Sequence, residues 1–270
     1  MINKIRHNNL TIGGLNVHYL DGGEGDPLVV IHGGGGGVNS WQSSLEELSR
    51  HYTVYAPDLP GFGHSQSRND RFQLSEYVEF MNEFVHTLGL RRFHLIGHSL
   101  GGGIALQFAL KFPQKIEKLV LVSSMFLGKE IALWARFLSS SSCFRYVGKA
   151  GLSVIRTIGW VARFFCNTCK IAPPFTQLHI SIGKSIMTLK GQTTVLINQL
   201  TELPMPTLLV WGARDGIVPS RQAHAAADII PDCQLHVFEG CGHHVQNQKL
   251  QEFCQLLVSF LSKNDNLAND

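Results

Sequence analysis

The chain has 270 residues, 44% of them hydrophobic, and a formal net charge of +3. That length suits one large domain, or a core with an insertion, and buries a core without disulfide or metal staples. No apolar run reaches the ~18 residues of a bilayer span, and residues 1–9 are polar where a secretory signal would be apolar. The six scattered cysteines therefore read as reduced thiols of a cytoplasmic protein.

In chain order, Leu10 to Leu20 alternates polar and apolar residues around Gly13-Gly14, the pattern of a two-stranded hairpin. Leu28-Val29-Val30-Ile31 is continuously apolar, as in a strand covered on both faces, and runs into His32 and the glycines Gly33 to Gly37. Val38 to Arg50 has helical spacing with Trp41, Leu45 and Leu48 on one side. Thr53 to Ala56 is a strand, followed by the turn-rich Pro57-Asp58-Leu59-Pro60-Gly61-Phe62-Gly63-His64-Ser65. Ser75 to Leu88 is a helix ended near Gly89. Phe93 to Ile96 is a strand, Ile104 to Lys111 a helix, and Lys118 to Val122 a strand.

From Ser123 to about Leu203 the alternation stops, and no clear strand is visible. Residues 125–203 hold nine Lys and Arg against two acids, a local charge of +7 that leaves −4 for the rest. Pro206 to Trp211 resumes as a strand. Ser220 to Ile229 is a helix, Gln234 to Glu239 a strand and Val245 to Leu261 a last helix. Strands alternating with helices imply a mostly parallel sheet covered by helices, and the stretch that interrupts them reads as an insertion.

The chemistry centres on Gly97-His98-Ser99-Leu100-Gly101, between the Phe93 strand and the Ile104 helix. A serine between two glycines at a sharp strand-to-helix turn is a nucleophile elbow. The turn lifts the hydroxyl from the sheet edge, and the helix that follows aims its amide N–H groups at the same spot. A serine needs a base to take its proton, and the base needs a carboxylate to orient it. In an open parallel sheet both belong just past strand ends. Asp215 follows the Pro206 strand, and His243 or His244 follows the Gln234 strand in Gly240-Cys241-Gly242-His243-His244. The order Ser, Asp, His is the one this elbow takes. Leu100, the residue after the nucleophile, offers one oxyanion-hole N–H, and the glycine loop after His32 offers the other.

These motifs, with His32-Gly33-Gly34 and the Pro57–Ser65 segment, resemble the α/β-hydrolase superfamily, in its capped branch of small esterases, epoxide hydrolases and C–C bond hydrolases. The resemblance covers nearly the whole chain outside the insertion. It implies an eight-stranded, mostly parallel sheet, a core of residues 1–124 and 204–270, and a helical cap of residues 125–203. It selects His243 through the preceding Gly-x-Gly, with His244 as a departure from the usual apolar or aromatic neighbour. It places the second oxyanion N–H at Gly34, with Gly35 as the alternative. Ser99 excludes the nucleophilic Asp of epoxide hydrolases and dehalogenases.

The expected reaction is hydrolysis of a carboxylic ester of small or medium acyl group, through an acyl-enzyme on Ser99. Cleavage of a vinylogous C–C bond is the alternative, and a ligand receptor or acyltransferase on the same scaffold a further one. Gly35, His98 and Trp41 are candidates for lining the substrate site. Competing readings have His98 bracing the turn and Trp41 anchoring its helix. Asp58 reads as part of a structural turn. No cofactor or metal is expected. Cys166-Asn-Thr-Cys169 has redox spacing but no second pair nearby, and the five glycines lack the Gly-Lys-Ser/Thr of a phosphate loop. The expected partner is a small acyl substrate and not nucleic acid. Val154 to Phe165 reads as a helix with Arg156 and Arg163 on a basic side, which offers weak contact with an anionic membrane surface.

Overall fold

The computed structural model describes residues 5–67, 73–133, 135–136, 182–183 and 185–262. The strands are β1 (Arg6–Ile12), β2 (Leu15–Gly22), β3 (Pro27–Ile31), β4 (Thr53–Pro57), β5 (Phe93–His98), β6 (Ile116–Val122), β7 (Met187–Thr188), β8 (Gly191–Gln192), β9 (Thr207–Gly212) and β10 (Cys233–Phe238). The helices are α1 (Gln42–Leu48), α2 (Leu74–Thr87), α3 (Leu100–Lys111), α4 (Arg221–Ala227), α5 (Val245–Gln248) and α6 (Leu250–Leu261).

Eight strands form one sheet in the order β1-β2-β4-β3-β5-β6-β9-β10. β2 is antiparallel to β1 and β4, and the remaining pairs are parallel. The β1–β2 hairpin closes on Gly13 and Gly14, both at positive φ, the backbone that a two-residue primed turn demands. Alternation within β3 divides the interior. Val29 and Ile31 face a core with Phe84 of α2, Ile104 and Phe108 of α3 and Ala223 of α4. Leu28 and Val30 face a second core with Leu45 of α1 and Phe253 and Leu257 of α6. β5 is buried along its whole length, as expected of a strand covered on both faces. This is the α/β-hydrolase fold, as the motifs imply.

Two details differ from the sequence reading. Residues 123–203 contain a short antiparallel pair, β7–β8; two-residue strands carry no periodicity to read. The last helix is two, α5 and α6, broken at Lys249 (φ −132°, ψ 48°). The break lets Gln248 turn back, where its Oε1 accepts the Gly242 N–H at 2.7 Å. The basic helix expected at Val154–Phe165 and the pair Cys166 and Cys169 lie outside the described residues.

The two roots of the stretch between β6 and β9 are joined. Gln192 Oε1 accepts the Phe126 N–H at 2.8 Å, and its Nε2 donates to the carbonyls of Gly128 at 2.7 Å and Glu130 at 3.1 Å. Backbone bonds run from Gln192 N to Lys129 O and from Leu196 N to Phe126 O.

Candidate active site

Ser99 sits between β5 and α3 with φ 53° and ψ −116°, backbone angles that a side-chain-bearing residue adopts only when its surroundings hold it there. The small neighbours are required, because a Cβ at Gly97 would collide with the Gly101 carbonyl and one at Gly101 with the carbonyls of Ile31 and His32. The elbow is fastened on both sides. Ser99 N–H donates to Val122 O at 2.9 Å, and Ser99 O accepts from Gly103 N at 3.1 Å and Met125 N at 3.0 Å. The hydroxyl carrier is thus bonded to the end of β6 and to the chain just beyond it.

Asp215 lies past β9, its side chain without solvent exposure. Its Oδ1 accepts the N–H groups of Ile217 at 2.8 Å and Val218 at 3.0 Å. Its Oδ2 accepts the His243 Nδ1–H at 2.8 Å. Burial alone would raise this carboxyl, but the His243 ring and the two amides outweigh it and hold it below the usual carboxylate range. The loops that carry the pair are sewn together by Arg214 N to Cys241 O at 2.8 Å and Ala213 N to Phe238 O at 3.0 Å. With Nδ1 committed to the carboxylate, Nε2 is the His243 nitrogen left for proton exchange.

Of the two adjacent histidines, His243 is the one hydrogen-bonded to Asp215. Burial, then the neighbouring His243, pushes the His244 pKa down to about 4. Its buried Nδ1 has no hydrogen-bond partner among the described residues.

His98 adjoins the pair. Its Nε2–H donates to the His243 carbonyl at 3.0 Å, and its ring centroid lies 4.9 Å from that of His243 and 5.2 Å from that of His244. Burial first, and then these two imidazoles, hold the His98 pKa well below the ordinary value.

The glycine loop passes close to Ser99. A Cβ at Gly33 would come within 2.8 Å of His98 Nδ1 and 3.2 Å of Ser99 Cβ. One at Gly34 would meet only Leu100, at 3.7 Å, and one at Gly35 would meet nothing within 4 Å. Gly34 and Leu100 are therefore neighbours, and Gly35 borders open space. His32 holds the loop: its Nδ1–H donates to Gly33 O at 2.7 Å, and its Nε2 accepts the Leu59 N–H at 3.0 Å. Asp58, 1% exposed, holds the loop's far end by accepting from Val38 N at 2.7 Å, His64 N at 3.0 Å and His18 Nδ1 at 2.8 Å. Its carboxylate is consumed by these bonds, so the structural-turn reading of Asp58 is the one the contacts favour.

Two candidate substrate contacts, Trp41 and His98, are buried. Trp41 is fully buried against the rings of His98 and Phe253, and His98 is 2% exposed. Both side chains pack inside the protein, Trp41 against His98 and His98 against His243. The His98–His243 bond has no sequence signal, because its acceptor is a backbone carbonyl 145 residues away. Among the described residues, no group of three or more His, Cys, Asp or Glu is arranged to hold a metal ion, and no helix is long and apolar enough to cross a membrane.

Comparison with known proteins agrees with this architecture. A family profile described as the alpha/beta hydrolase fold matches residues 26–147. The 2-hydroxymuconate semialdehyde hydrolase of Pseudomonas sp. (strain CF600) is 29% identical over 94% of this chain and 93% of its own. A meta-cleavage product hydrolase from Pseudomonas fluorescens IP01 superposes with a TM-score of 0.74 at 24% identity, covering 94% of this chain and 97% of that one. A membrane phospholipase A, a bacterial virulence factor, superposes equally well at 0.74 and 23% identity, covering 95% and 86%. At these identities the two superpositions speak for the fold alone.

Proposed function

We propose, from the premise that this chain is an α/β-hydrolase by fold, that it is a serine hydrolase with Ser99 as nucleophile, His243 as base and Asp215 as the acid that orients the base. The observation that carries the reading is the 2.8 Å bond from His243 to a buried Asp215, beside the elbow that holds Ser99. In the proposed reaction Ser99 Oγ attacks a carbonyl carbon while His243 Nε2 takes its proton. The charge that develops on the carbonyl oxygen is met by the N–H groups of Leu100, at the start of α3, and of Gly34, in the loop after β3. His243 then protonates the leaving group, and water admitted to the site releases the acyl group by the same steps in reverse. Asp215 stays ionised throughout, which its held-down pKa supports. Residues 125–203 are proposed as the lid that shapes the substrate pocket.

The bond we propose is a carboxylic ester of small or medium acyl group, because ester hydrolysis requires only these five groups. A second reading is cleavage of the C–C bond of a meta-cleavage-type vinylogous diketone. The full-length match to the 2-hydroxymuconate semialdehyde hydrolase favours it. That reaction adds one requirement, a proton delivered to the departing carbon.

A fluorophosphonate probe labels the wild-type protein and not Ser99→Ala if the nucleophile is assigned correctly; an unlabelled wild type refutes it. Asp215→Asn lowers kcat by roughly 10³–10⁴-fold while the fold is kept, since an uncharged partner leaves the imidazole in the wrong tautomer. Turnover of p-nitrophenyl esters of graded length, set against loss of the absorbance of a ring-cleavage dienoate, decides between the two bonds.

A further inference from the structure

We propose that His98 is a positioning residue, whose ring N–H clamps the His243 carbonyl and so sets the base at a fixed distance from the adjoining nucleophile. This inference rests on the triad reading above.

The bond defines the state of the His98 ring. A carbonyl oxygen only accepts, so the nitrogen 3.0 Å from it carries the hydrogen. The ring is buried beside two other imidazoles, where a second positive charge is strongly disfavoured. His98 is therefore a neutral imidazole with its hydrogen on Nε2. It is no second base, because its donor is spent on the carbonyl and its Nδ1 faces the Gly33 backbone rather than a carboxylate.

The topology gives the bond its purpose. His243 follows β10, an edge strand whose residues are mostly half-exposed. Ser99 follows β5, a central strand buried throughout. Asp215 fixes the His243 ring from the β9 side through Nδ1. Nothing in that contact fixes the His243 backbone relative to Ser99. The His98 bond supplies this tie, and it is one residue from the nucleophile. Its ring, 4.9 Å from that of His243, also serves as a wall against which the base rests. A displacement of about 1 Å between base and nucleophile costs on the order of 10²-fold in rate.

The test compares wild type, His98→Leu, His98→Gln and His98→Asn. Each is measured for the rate of fluorophosphonate labelling from pH 5 to pH 9, and for kcat and KM on p-nitrophenyl acetate. The Gln amide reaches the carbonyl with a donor; Asn is too short and Leu has none. Expected are a loss of about 10²-fold in kcat for Leu and Asn with KM within threefold, a displaced pH midpoint of labelling, and recovery to within about fivefold for Gln. A merely structural hydrogen bond would change thermal stability without moving the pH midpoint. The proposal is overturned if folded His98→Asn and His98→Gln both label at the wild-type rate and midpoint, or if Gln is no better than Asn. If His98→Leu does not fold, the Gln and Asn pair alone decides. Failure of the triad reading looks different: the wild type itself resists the probe, and the positioning role falls with it.

Discussion

At the scale of single residues, the site and its supporting loop hold three imidazoles whose burial favours the neutral form. His32, His98 and His244 all have pKa values lowered chiefly by burial. In the unfolded chain they titrate near the ordinary 6.5. Below that value the unfolded state binds more protons than the folded one, so stability falls as pH drops from about 6.5 toward the His244 value of about 4. Asp215 acts in the same direction. Its folded pKa is held down, so its contribution is present at neutral pH and is lost as acid protonates it. The urea midpoint should therefore fall between pH 7.5 and pH 5, and His244→Asn should flatten that slope; an equal slope in both proteins would refute the assignment. The placement of Ser99, Asp215 and His243 past strand ends was legible because each follows a strand in a short motif of glycines. The support from His98 was not, because a side chain meeting a distant carbonyl leaves no pattern in the sequence.

At the scale of elements, small residues bring helix and sheet close enough to form the site. α3 carries Gly101, Gly102 and Gly103 in its first turn, and a Cβ on Gly103 would enter the ring of Phe126. Phe126 is fully buried and held at φ 74°, so it cannot retreat easily. Gly103→Ala should cost about 1–3 kcal/mol by overpacking, read as a lower denaturant midpoint with an unchanged m-value. Asp58→Ala should cost more, roughly 3–5 kcal/mol, because it strips a buried carboxylate from His18 and from the N–H groups of Val38 and His64. Chemical denaturation measures both, and a ranking with Gly103→Ala above Asp58→Ala would contradict the contacts. Periodicity revealed the long elements, since each presents one or two apolar faces to a core. It missed β7 and β8, too short for a period, and the break at Lys249, which answers to the Gln248 bond rather than to local propensity.

At the scale of the whole molecule, the sheet gathers its chemistry at one rim. β3 runs into the glycine loop, β5 into Ser99, β9 into the loop of Asp215 and β10 into the loop of His243, the residues to which the proposed chemistry is assigned. The stretch between β6 and β9 enters beside the nucleophile through the Met125–Ser99 bond and is closed at its base by Gln192. Gln192→Leu orphans the Phe126 N–H and the Gly128 carbonyl, and leaves the Glu130 carbonyl with only its Gln222 bond. It should cost about 1–3 kcal/mol, with faster proteolytic cutting between residues 125 and 203; unchanged cutting would argue against the closure. The meeting of those two roots has a wider consequence. Each doubling of what lies between them adds only about 0.6 kcal/mol of closure entropy, so descendants can exchange that material while inheriting the chemical engine intact. If that stretch is the proposed lid, diversification of what reaches Ser99 and preservation of the chemistry there become separate evolutionary problems.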